Sequence, residues 1–198
     1  MTIKKLIIKY LSIYFKIHPI HSYKNPHTML KNLPIVLGLI FLALQFFRVE
    51  KNQSNELTND ISKKYAVSDT VMKILDGACN DCHSNYTAYP WYSSIQPVAW
   101  WLDEHVQDGK KHLNFSTFLE RKVAIQNHKF EEIVEMVEKK EMPLPSYTYL
   151  GLHPEAKLSD EQRQVLITWA KTQMDSLKAW YPADSLVLKR PSGPPPTQ

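Results

Sequence analysis

The chain has 198 residues, of which 43% are hydrophobic and 22% are charged, which is enough for one ordinary domain with extensions. Its net charge of +4 is unevenly distributed. The first 49 residues carry seven basic side chains and no acidic one, whereas the other 17 basic and 20 acidic side chains give the remainder a net charge of −3. A mildly acidic body argues against nucleic-acid binding, because that function needs a basic face on the folded part.

The N-terminal quarter contains a long apolar segment, residues 30–49, whose only charges are Lys31 and Arg48. This segment is predicted to be a transmembrane anchor or a secretory signal, since charged side chains near its ends can extend to the membrane surface. Residues 1–29 contain lysines without acidic neighbours, so the positive-inside rule predicts a cytoplasmic leader. The alternative is that residues 1–28 are an extension upstream of a natural start at Met29. The rest of the chain is then expected in the periplasm.

Beyond residue 49 the apolar side chains follow helical spacing, and neither strand alternation nor a repeat is visible. Residues 50–67 are polar and are predicted to form a linker. Residues 68–182 are predicted to be one all-α domain. Residues 183–198 lose the helical spacing and end in "PSGPPPTQ", which indicates a disordered tail.

Capping residues indicate where the predicted helices begin and end. Ser68 or Asp69 precedes a stretch with helical spacing and is expected to be the N-cap of the first helix. A second helix is predicted from Pro97 to Gly109, and one long or two short helices follow it. After a proline-containing loop, Ser159 and Gln162 are expected to form the capping box of the last helix.

The stretch "DGACNDCHSNY" contains the only two cysteines of the chain, Cys79 and Cys82, and His83 follows the second directly. The spacing fits four kinds of site: haem attachment, a redox dithiol, part of a zinc site, or a disulfide. A structural zinc site needs four ligands, and the chain has no second cysteine pair. A redox dithiol usually follows a strand, whereas a helix is predicted before Cys79. A disulfide alone gives His83 no role.

Haem attachment accounts for all three residues. Cys79 and Cys82 would form thioethers to the two vinyl groups of one haem c, and His83 would be the proximal iron ligand. Asn80 and Asp81 are then expected to be only the spacer between the cysteines. An N-terminal export segment agrees with this interpretation, because haem is attached covalently outside the bacterial cytoplasm.

Two blocks of the sequence, residues 74–118 and 141–170, resemble the haem-binding domain family of small, membrane-anchored bacterial proteins. The resemblance extends over the predicted domain, from about residue 68 to residue 180, and includes the placement of the N-terminal apolar segment. It implies that the chain binds haem. The order of the motifs is also similar to that of class I cytochromes c. That similarity implies a helical domain around a covalently bound haem, with the sixth iron ligand late in the chain.

Met142 is the residue that we expect opposite the proximal histidine on the iron. It lies in "EMPLP", where two prolines restrict the backbone, and the resemblance to cytochrome c implies a Met-Pro motif at this place. The alternative ligands are His105 and His112, on and just after the second predicted helix. Trp91 and Trp101 belong to an aromatic-rich stretch and are candidates for packing against the haem.

These features predict a membrane-anchored, single-pass, periplasmic c-type cytochrome with one haem per chain. It would transfer single electrons between periplasmic redox partner proteins and have no substrate of its own, so it would not be an enzyme. A filled sixth iron position favours this function. An open or exchangeable position is typical of a haem-based gas or redox sensor, or of a peroxidase-like enzyme. The sequence shows no distal acid–base pair for a peroxidase, so electron transfer is the function that it favours.

Overall fold

A computed structural model describes residues 12–13, 16 and 26–188, without the side chains of residues 26–29 and 150. The leader expected at residues 1–29 lies almost entirely outside the described residues. The part of the expected tail from residue 189 onward lies outside them as well.

The regular secondary structure of the described residues is helical, which confirms the all-α prediction. Their α-helices are α1 (Pro26–Leu44), α2 (Asp69–Ala78), α3 (Asn80–His83), α4 (Val98–His112), α5 (Val123–Glu138) and α6 (Asp160–Trp180). Short 3-10 helices cover Ile61–Lys63, Trp91–Ser94, Phe115–Glu120, Tyr149–Gly151, Pro154–Ala156 and Ala183–Ser185. No strand occurs in this part of the chain, and one isolated bridge pairs Gln53 with Tyr86.

Helix α1 and the residues Ile95–Pro97 belong to one of two compact units. The amide nitrogen of Gln96 donates to Oε1 of Gln45 at 3.0 Å, and Nε2 of Gln45 donates to the carbonyl of Gln96 at 3.2 Å. Nε2 of Gln96 also donates to the carbonyl of Phe47 at 2.5 Å. These hydrogen bonds connect the end of the apolar segment to Ile95–Pro97.

The apolar segment differs from the transmembrane helix expected at residues 30–49. Helix α1 begins at Pro26, so that polar residues and Lys31 occupy its first two turns, and it ends at Leu44. Within the described part of the chain, no helix combines the length and the hydropathy that crossing a membrane requires. The expected transmembrane helix is therefore not found there. Most of the large apolar side chains of α1 are exposed.

The second unit contains α2 to α6, and its core lies where α5 packs against α6. Phe130 on α5 and Ala170 and Leu177 on α6 are 0% exposed. The rings of Tyr65 and Phe118 pack against that of Phe130, with centroids 5.0 and 5.2 Å apart. Burying one large apolar side chain contributes about 1.5–3 kcal/mol, so this cluster is a main source of the unit's stability.

Of the two candidate N-caps of α2, Ser68 is the one that caps the helix, and the predicted N-cap Ser159 of α6 is confirmed. Oγ of Ser68 accepts from the amide of Val71 at 3.3 Å and begins α2. Oγ of Ser159 accepts from the amide of Gln162 at 3.2 Å, and Oε1 of Gln162 accepts from the amide of Ser159 at 2.9 Å. This reciprocal pair satisfies two amides that would otherwise lack partners, and it fixes the first residue of α6.

Residues 50–67, expected to be a linker, contribute to the core of the second unit. Ile61 and Tyr65 are 2% and 1% exposed. Nε1 of Trp169 donates to the carbonyl of Ala66 at 2.8 Å and connects α6 to this segment. The sequence did not reveal this role, because two apolar residues in a polar stretch produce no periodic pattern.

The folded unit also continues past residue 182, where the domain was predicted to end. A 3-10 helix covers Ala183–Ser185. Leu186 is 8% exposed and belongs to the core cluster. The packing of the second unit therefore extends at least to Leu186.

Candidate functional site

The two cysteines and His83 lie on one helical turn. Helix α2 ends at Ala78, and the amide nitrogens of Cys82 and His83 both donate to the carbonyl of Cys79, at 3.1 and 2.9 Å. Positions i, i+3 and i+4 of a helical turn face the same side. The motif therefore presents both thiols and the imidazole on one face, as binding to a single group requires.

Both thiols are free, and their surroundings favour the neutral form. Burial, with a smaller contribution from Cys82, raises the pKa of Cys79 to about 12. Burial and the neighbouring Asp81 carboxylate raise the pKa of Cys82 to about 11. A redox dithiol needs the opposite shift, because the thiolate is the nucleophile. These pKa values therefore argue against a redox dithiol at this motif.

The C-terminal end of α4 lies behind the ring of His83. Nδ1 of His83 is 3.0 Å from the carbonyl oxygens of both Gly109 and Leu113. Since a carbonyl only accepts, Nδ1 carries the proton. Burial lowers the pKa of His83 against the opposing effect of these two hydrogen bonds, so the ring is neutral at pH 7. Nε2 keeps its lone pair and has no hydrogen-bond partner among the described residues.

Gly109 lies inside α4, not at its end as predicted, because the helix continues to His112. A Cβ atom at position 109 would lie 2.6 Å from the carbonyl oxygen of Cys82 and 3.0 Å from its Cβ. Glycine thus lets α4 pass close to the motif, where its carbonyl reaches His83. A glycine inside a helix costs about 1 kcal/mol relative to alanine, so close packing outweighs helix propensity here.

Asp81, expected to be only a spacer, connects the motif to two loops. Its Oδ2 accepts from the hydroxyl of Tyr147 at 2.5 Å, and its Oδ1 accepts from the amide of Ala88 at 2.8 Å. Its carbonyl accepts from the hydroxyl of Thr87 at 2.6 Å. Burial and the hydrogen bond to Asp81 raise the pKa of Tyr147, so its hydroxyl remains a donor.

A small cleft lies beside Cys82 and encloses about 40 Å³. Its walls come from the motif, the loop after it, α4 and the loop before α6, and they include Trp101, Val106, Leu144, Tyr147 and His153. Cofactor pockets typically enclose roughly 300–1,000 Å³. The cleft as it stands is therefore too small for a macrocycle.

His153 lies in the wall of this cleft and has both ring nitrogens engaged. Its side chain is 12% exposed, and its ring stacks on that of Tyr147 with centroids 4.1 Å apart. Nε2 is 2.7 Å from the hydroxyl of Tyr92, and Nδ1 is 3.2 Å from the carboxylate of Glu155. Sequence reasoning assigned no role to this residue, because one histidine before a proline in a loop forms no recognisable pattern.

The backbone of Met142 is hydrogen-bonded on both sides. Its amide donates to the carbonyl of Met136 at 3.2 Å, and its carbonyl accepts from Nη1 of Arg163 at 2.8 Å. Its side chain is half-buried and is not among the described residues that line the cleft. Met142 therefore has a fixed backbone position, and its ligation of iron stays a prediction.

The position of α4 bears on the two alternative ligands. The last turn of α4 lies on the Nδ1 side of His83, whereas a ligand opposite His83 on a metal has to approach from the Nε2 side. His105 and His112 both belong to α4, and the side chain of His112 is 66% exposed. The position of His112 in that last turn argues against it as the sixth ligand, whereas His105 lines the cleft beside Cys82, and its ligation of iron stays a prediction.

The two tryptophans proposed to pack against a haem differ in their surroundings. Trp101 lines the cleft and is 43% exposed, and its ring lies 4.3 Å from that of His105. Trp91 is 81% exposed and contacts Tyr92 edge-on at 5.7 Å. Only Trp101 is therefore placed beside Cys82.

The donor set of the motif fits a covalently attached haem. Cys79 and Cys82 are free and close enough in sequence to reach the same ring. His83 is neutral and has an available Nε2, the state that an axial ligand needs. Aromatic and aliphatic side chains of the neighbouring cleft, among them Trp101 and Leu144, would shield a haem face from water.

Comparisons with known proteins give one match. The family model of the haem-binding domain matches residues 39–172. The matched range includes the motif at Cys79–His83, all of α4, and Met142. No curated protein and no solved structure matches the chain.

Proposed function

Because the chain belongs to the haem-binding domain family, we propose that it is a c-type cytochrome that binds one haem covalently and transfers single electrons. The observation that carries this proposal is the arrangement of Cys79, Cys82 and His83 on one helical turn. In that arrangement Nδ1 of His83 donates to two backbone carbonyls. A disulfide would give these hydrogen bonds of His83 no function, and a structural zinc site needs four ligands, for which the chain has no second cysteine pair.

The haem supplies the one-electron couple of its iron. Cys79 and Cys82 would hold the ring through two thioethers, and His83 would bind the iron through Nε2. The hydrogen bonds from Nδ1 to the carbonyls of Gly109 and Leu113 increase the basicity of Nε2. A more basic axial ligand favours the oxidised iron, so these bonds lower the reduction potential.

Helix α4 acts on His83 in the same direction through its dipole. The C-terminus of a helix carries a partial negative charge of about half an elementary charge. The carbonyls of Gly109 and Leu113 belong to the last turn of α4 and the residue after it. This negative end faces the proximal ring, which again favours the more positively charged, oxidised iron.

Met142 is proposed as the sixth ligand. Its backbone is held by hydrogen bonds to Met136 and Arg163, so its flexible side chain starts from a fixed point. Occupation of the sixth position by a thioether raises the potential relative to a second histidine and keeps small molecules from the iron. Both effects suit a carrier of single electrons.

The proposed location is the periplasmic side of the bacterial cytoplasmic membrane. Two observations support it: the N-terminal segment carries lysines without acidic residues, and covalent haem attachment occurs outside the cytoplasm. The exposed apolar side chains of α1 are proposed to contact the membrane. The partners would be periplasmic redox proteins that donate and accept single electrons.

The test is the absorption spectrum of the full chain, produced with a haem-attachment system, and of the variants Met142→Ala and Met174→Ala. We expect a six-coordinate, low-spin spectrum for the unmodified chain and for Met174→Ala. We expect a high-spin spectrum and carbon monoxide binding for Met142→Ala, because the sixth position is then open. Met174 is the control because it is another half-buried methionine and packs against the core.

The contradicting result is a five-coordinate spectrum of the unmodified chain that changes on adding carbon monoxide. It would favour the gas or redox sensor, or a peroxidase-like enzyme, over the electron carrier. A six-coordinate spectrum that persists in Met142→Ala would retain the cytochrome and assign the sixth position to another residue.

A further inference from the structure

We infer that Gly109 is a positioning residue for the proximal ligand: the absence of a side chain there lets α4 hydrogen-bond His83 and thereby set the reduction potential. The inference rests on the proposed function. It concerns a residue outside the cysteine–histidine motif, which the motif itself does not point to. It gives a functional reason for a glycine in the last turn of a 15-residue helix.

The contact between α4 and the motif is closer than any side chain allows. A Cβ atom at position 109 would lie 2.6 Å from the carbonyl oxygen, 3.0 Å from the Cβ and 3.2 Å from the carbonyl carbon of Cys82. These are backbone atoms and the first side-chain atom of a residue inside the motif. They cannot rotate away as the end of a flexible side chain could.

The same glycine makes the hydrogen bond that the close contact permits. Its carbonyl oxygen is 3.0 Å from Nδ1 of His83 and also accepts from the amide of Leu113 at 2.9 Å. A methyl group at position 109 would therefore force α4 away from Cys82. The carbonyl of Gly109 would move with the helix, and its bond to His83 would lengthen or break.

A weaker hydrogen bond at Nδ1 has a defined effect on the iron. Nε2 becomes less basic, so the oxidised iron is stabilised less and the reduction potential rises. Changes to such supporting hydrogen bonds typically alter metal affinity by about 10–100-fold. We expect the lower end, about tenfold in the equilibrium between oxidised and reduced iron, which corresponds to about 59 mV.

The chain offers a matched control in Gly77, on helix α2. A Cβ atom at position 77 would lie 3.5 Å from Cβ and 3.6 Å from Cγ of Glu155, which is ordinary van der Waals contact. Gly77→Ala therefore changes the same residue type in a helix next to the motif without moving the motif. It measures what the loss of a helical glycine does by itself.

The experiment compares the reduction potential of the full-length haem-loaded chain with those of Gly109→Ala and Gly77→Ala. The expected result is a rise of about tenfold in the equilibrium, or about 59 mV, for Gly109→Ala and no shift for Gly77→Ala. A purely structural role for Gly109 would lower thermal stability and leave the potential unchanged. Equal potentials in the two variants would overturn the inference.

A second measurement on the unmodified protein covers the case in which Gly109→Ala does not fold. In the reduced, diamagnetic state, the Nδ1–H proton of His83 should be visible by NMR and should exchange slowly with water, because it is hydrogen-bonded and buried. Rapid exchange would overturn the inference without any variant.

If the unmodified chain retains no covalent haem, the proposed function fails, and this inference fails with it. If haem is retained, the proposed function stands on that point, and the reduction potentials of the variants test the role of Gly109 by itself.

Discussion

At the scale of single residues, Asp81 connects the motif to two loops. It accepts hydrogen bonds from Tyr147 and from the amide of Ala88, and its carbonyl accepts from Thr87. The first bond joins the motif to the loop before α6, and the other two join it to the loop that follows the motif. The spacer between the cysteines therefore determines where both loops lie.

Tyr147→Phe tests this connection by removing the hydroxyl that donates to Asp81. A hydrogen bond to a charged group contributes about 1.5–3 kcal/mol, so we expect the free energy of unfolding of the chain to fall by about that amount. The measurement is urea unfolding followed by circular dichroism. Tyr149→Phe is the control, because Tyr149 lies in the same loop and is 69% exposed. Equal stability of the two variants would show that the bond to Asp81 contributes nothing.

The sequence predicted the motif but not its supporting residues, for a physical reason. Cys79, Cys82 and His83 are adjacent in the chain, so their spacing is visible as a pattern. Gly109 and Tyr147 act through contacts with residues 27 and 66 positions away. One signal was available for Gly109: a helix tolerates a glycine in its interior only at a cost, so such a glycine usually has a packing role.

At the scale of elements, Met142 is held in place by the C-terminal part of α5 and by the start of α6. Nη1 of Arg163, in the first turn of α6, donates to the carbonyl of Met142 at 2.8 Å and lies 3.3 Å from that of Val137 on α5. One guanidinium thus donates to the carbonyl of Met142 and to that of Val137, which also accepts from the amide of Lys140 at 3.2 Å. The loop that carries the proposed sixth ligand therefore depends on the packing of α5 against α6.

Arg163→Ala tests this dependence in the haem-loaded chain. We expect part of the protein to become high-spin at room temperature, because Met142 then occupies the sixth position less of the time. The measurement is the absorption spectrum as a function of temperature. Lys171→Ala is the control, since Lys171 is a 55% exposed cation on the same helix, paired with Glu138. A fully low-spin spectrum of Arg163→Ala would show that Arg163 does not support the ligand.

Helix starts were predicted more accurately than helix ends. Ser68, Ser159 and Gln162 are local capping signals, and each makes the expected hydrogen bond. The end of α4 was predicted at Gly109, because a glycine often ends a helix. The helix continues to His112, since its last carbonyls are satisfied by Leu113 and by His83, a residue that no local pattern associates with this helix.

At the scale of the whole molecule, the folded haem-binding unit is larger than the sequence pattern suggested. Ile61 and Tyr65 belong to its core, although they lie in a segment predicted to be a linker. Leu186 packs on the same core beyond the predicted end of the domain. Isolated apolar residues in polar segments carry no periodic signal, so only the three-dimensional contacts reveal them.

A pair of fragments tests this boundary. Residues 68–188 lack Ile61 and Tyr65, whereas residues 50–188 retain both. Since each buried side chain contributes about 1.5–3 kcal/mol, we expect the shorter fragment to be less stable by about 3–6 kcal/mol in urea unfolding.

Within the longer fragment, Ile61→Ala should lower the free energy of unfolding and Leu57→Ala should not, because Leu57 is 52% exposed. Equal stability of the two fragments would show that residues 50–67 are a linker that adds nothing to the core.

The central claim, that Cys79 and Cys82 attach one haem covalently, is tested most directly by mass spectrometry. The full chain, produced with a haem-attachment system, is denatured, extracted with acidified acetone and weighed intact. We predict a polypeptide that keeps the mass of one haem, and a double variant, Cys79→Ser with Cys82→Ser, that loses it. Recovery of the unmodified polypeptide mass from the unchanged chain, with all haem in the solvent, would contradict the account.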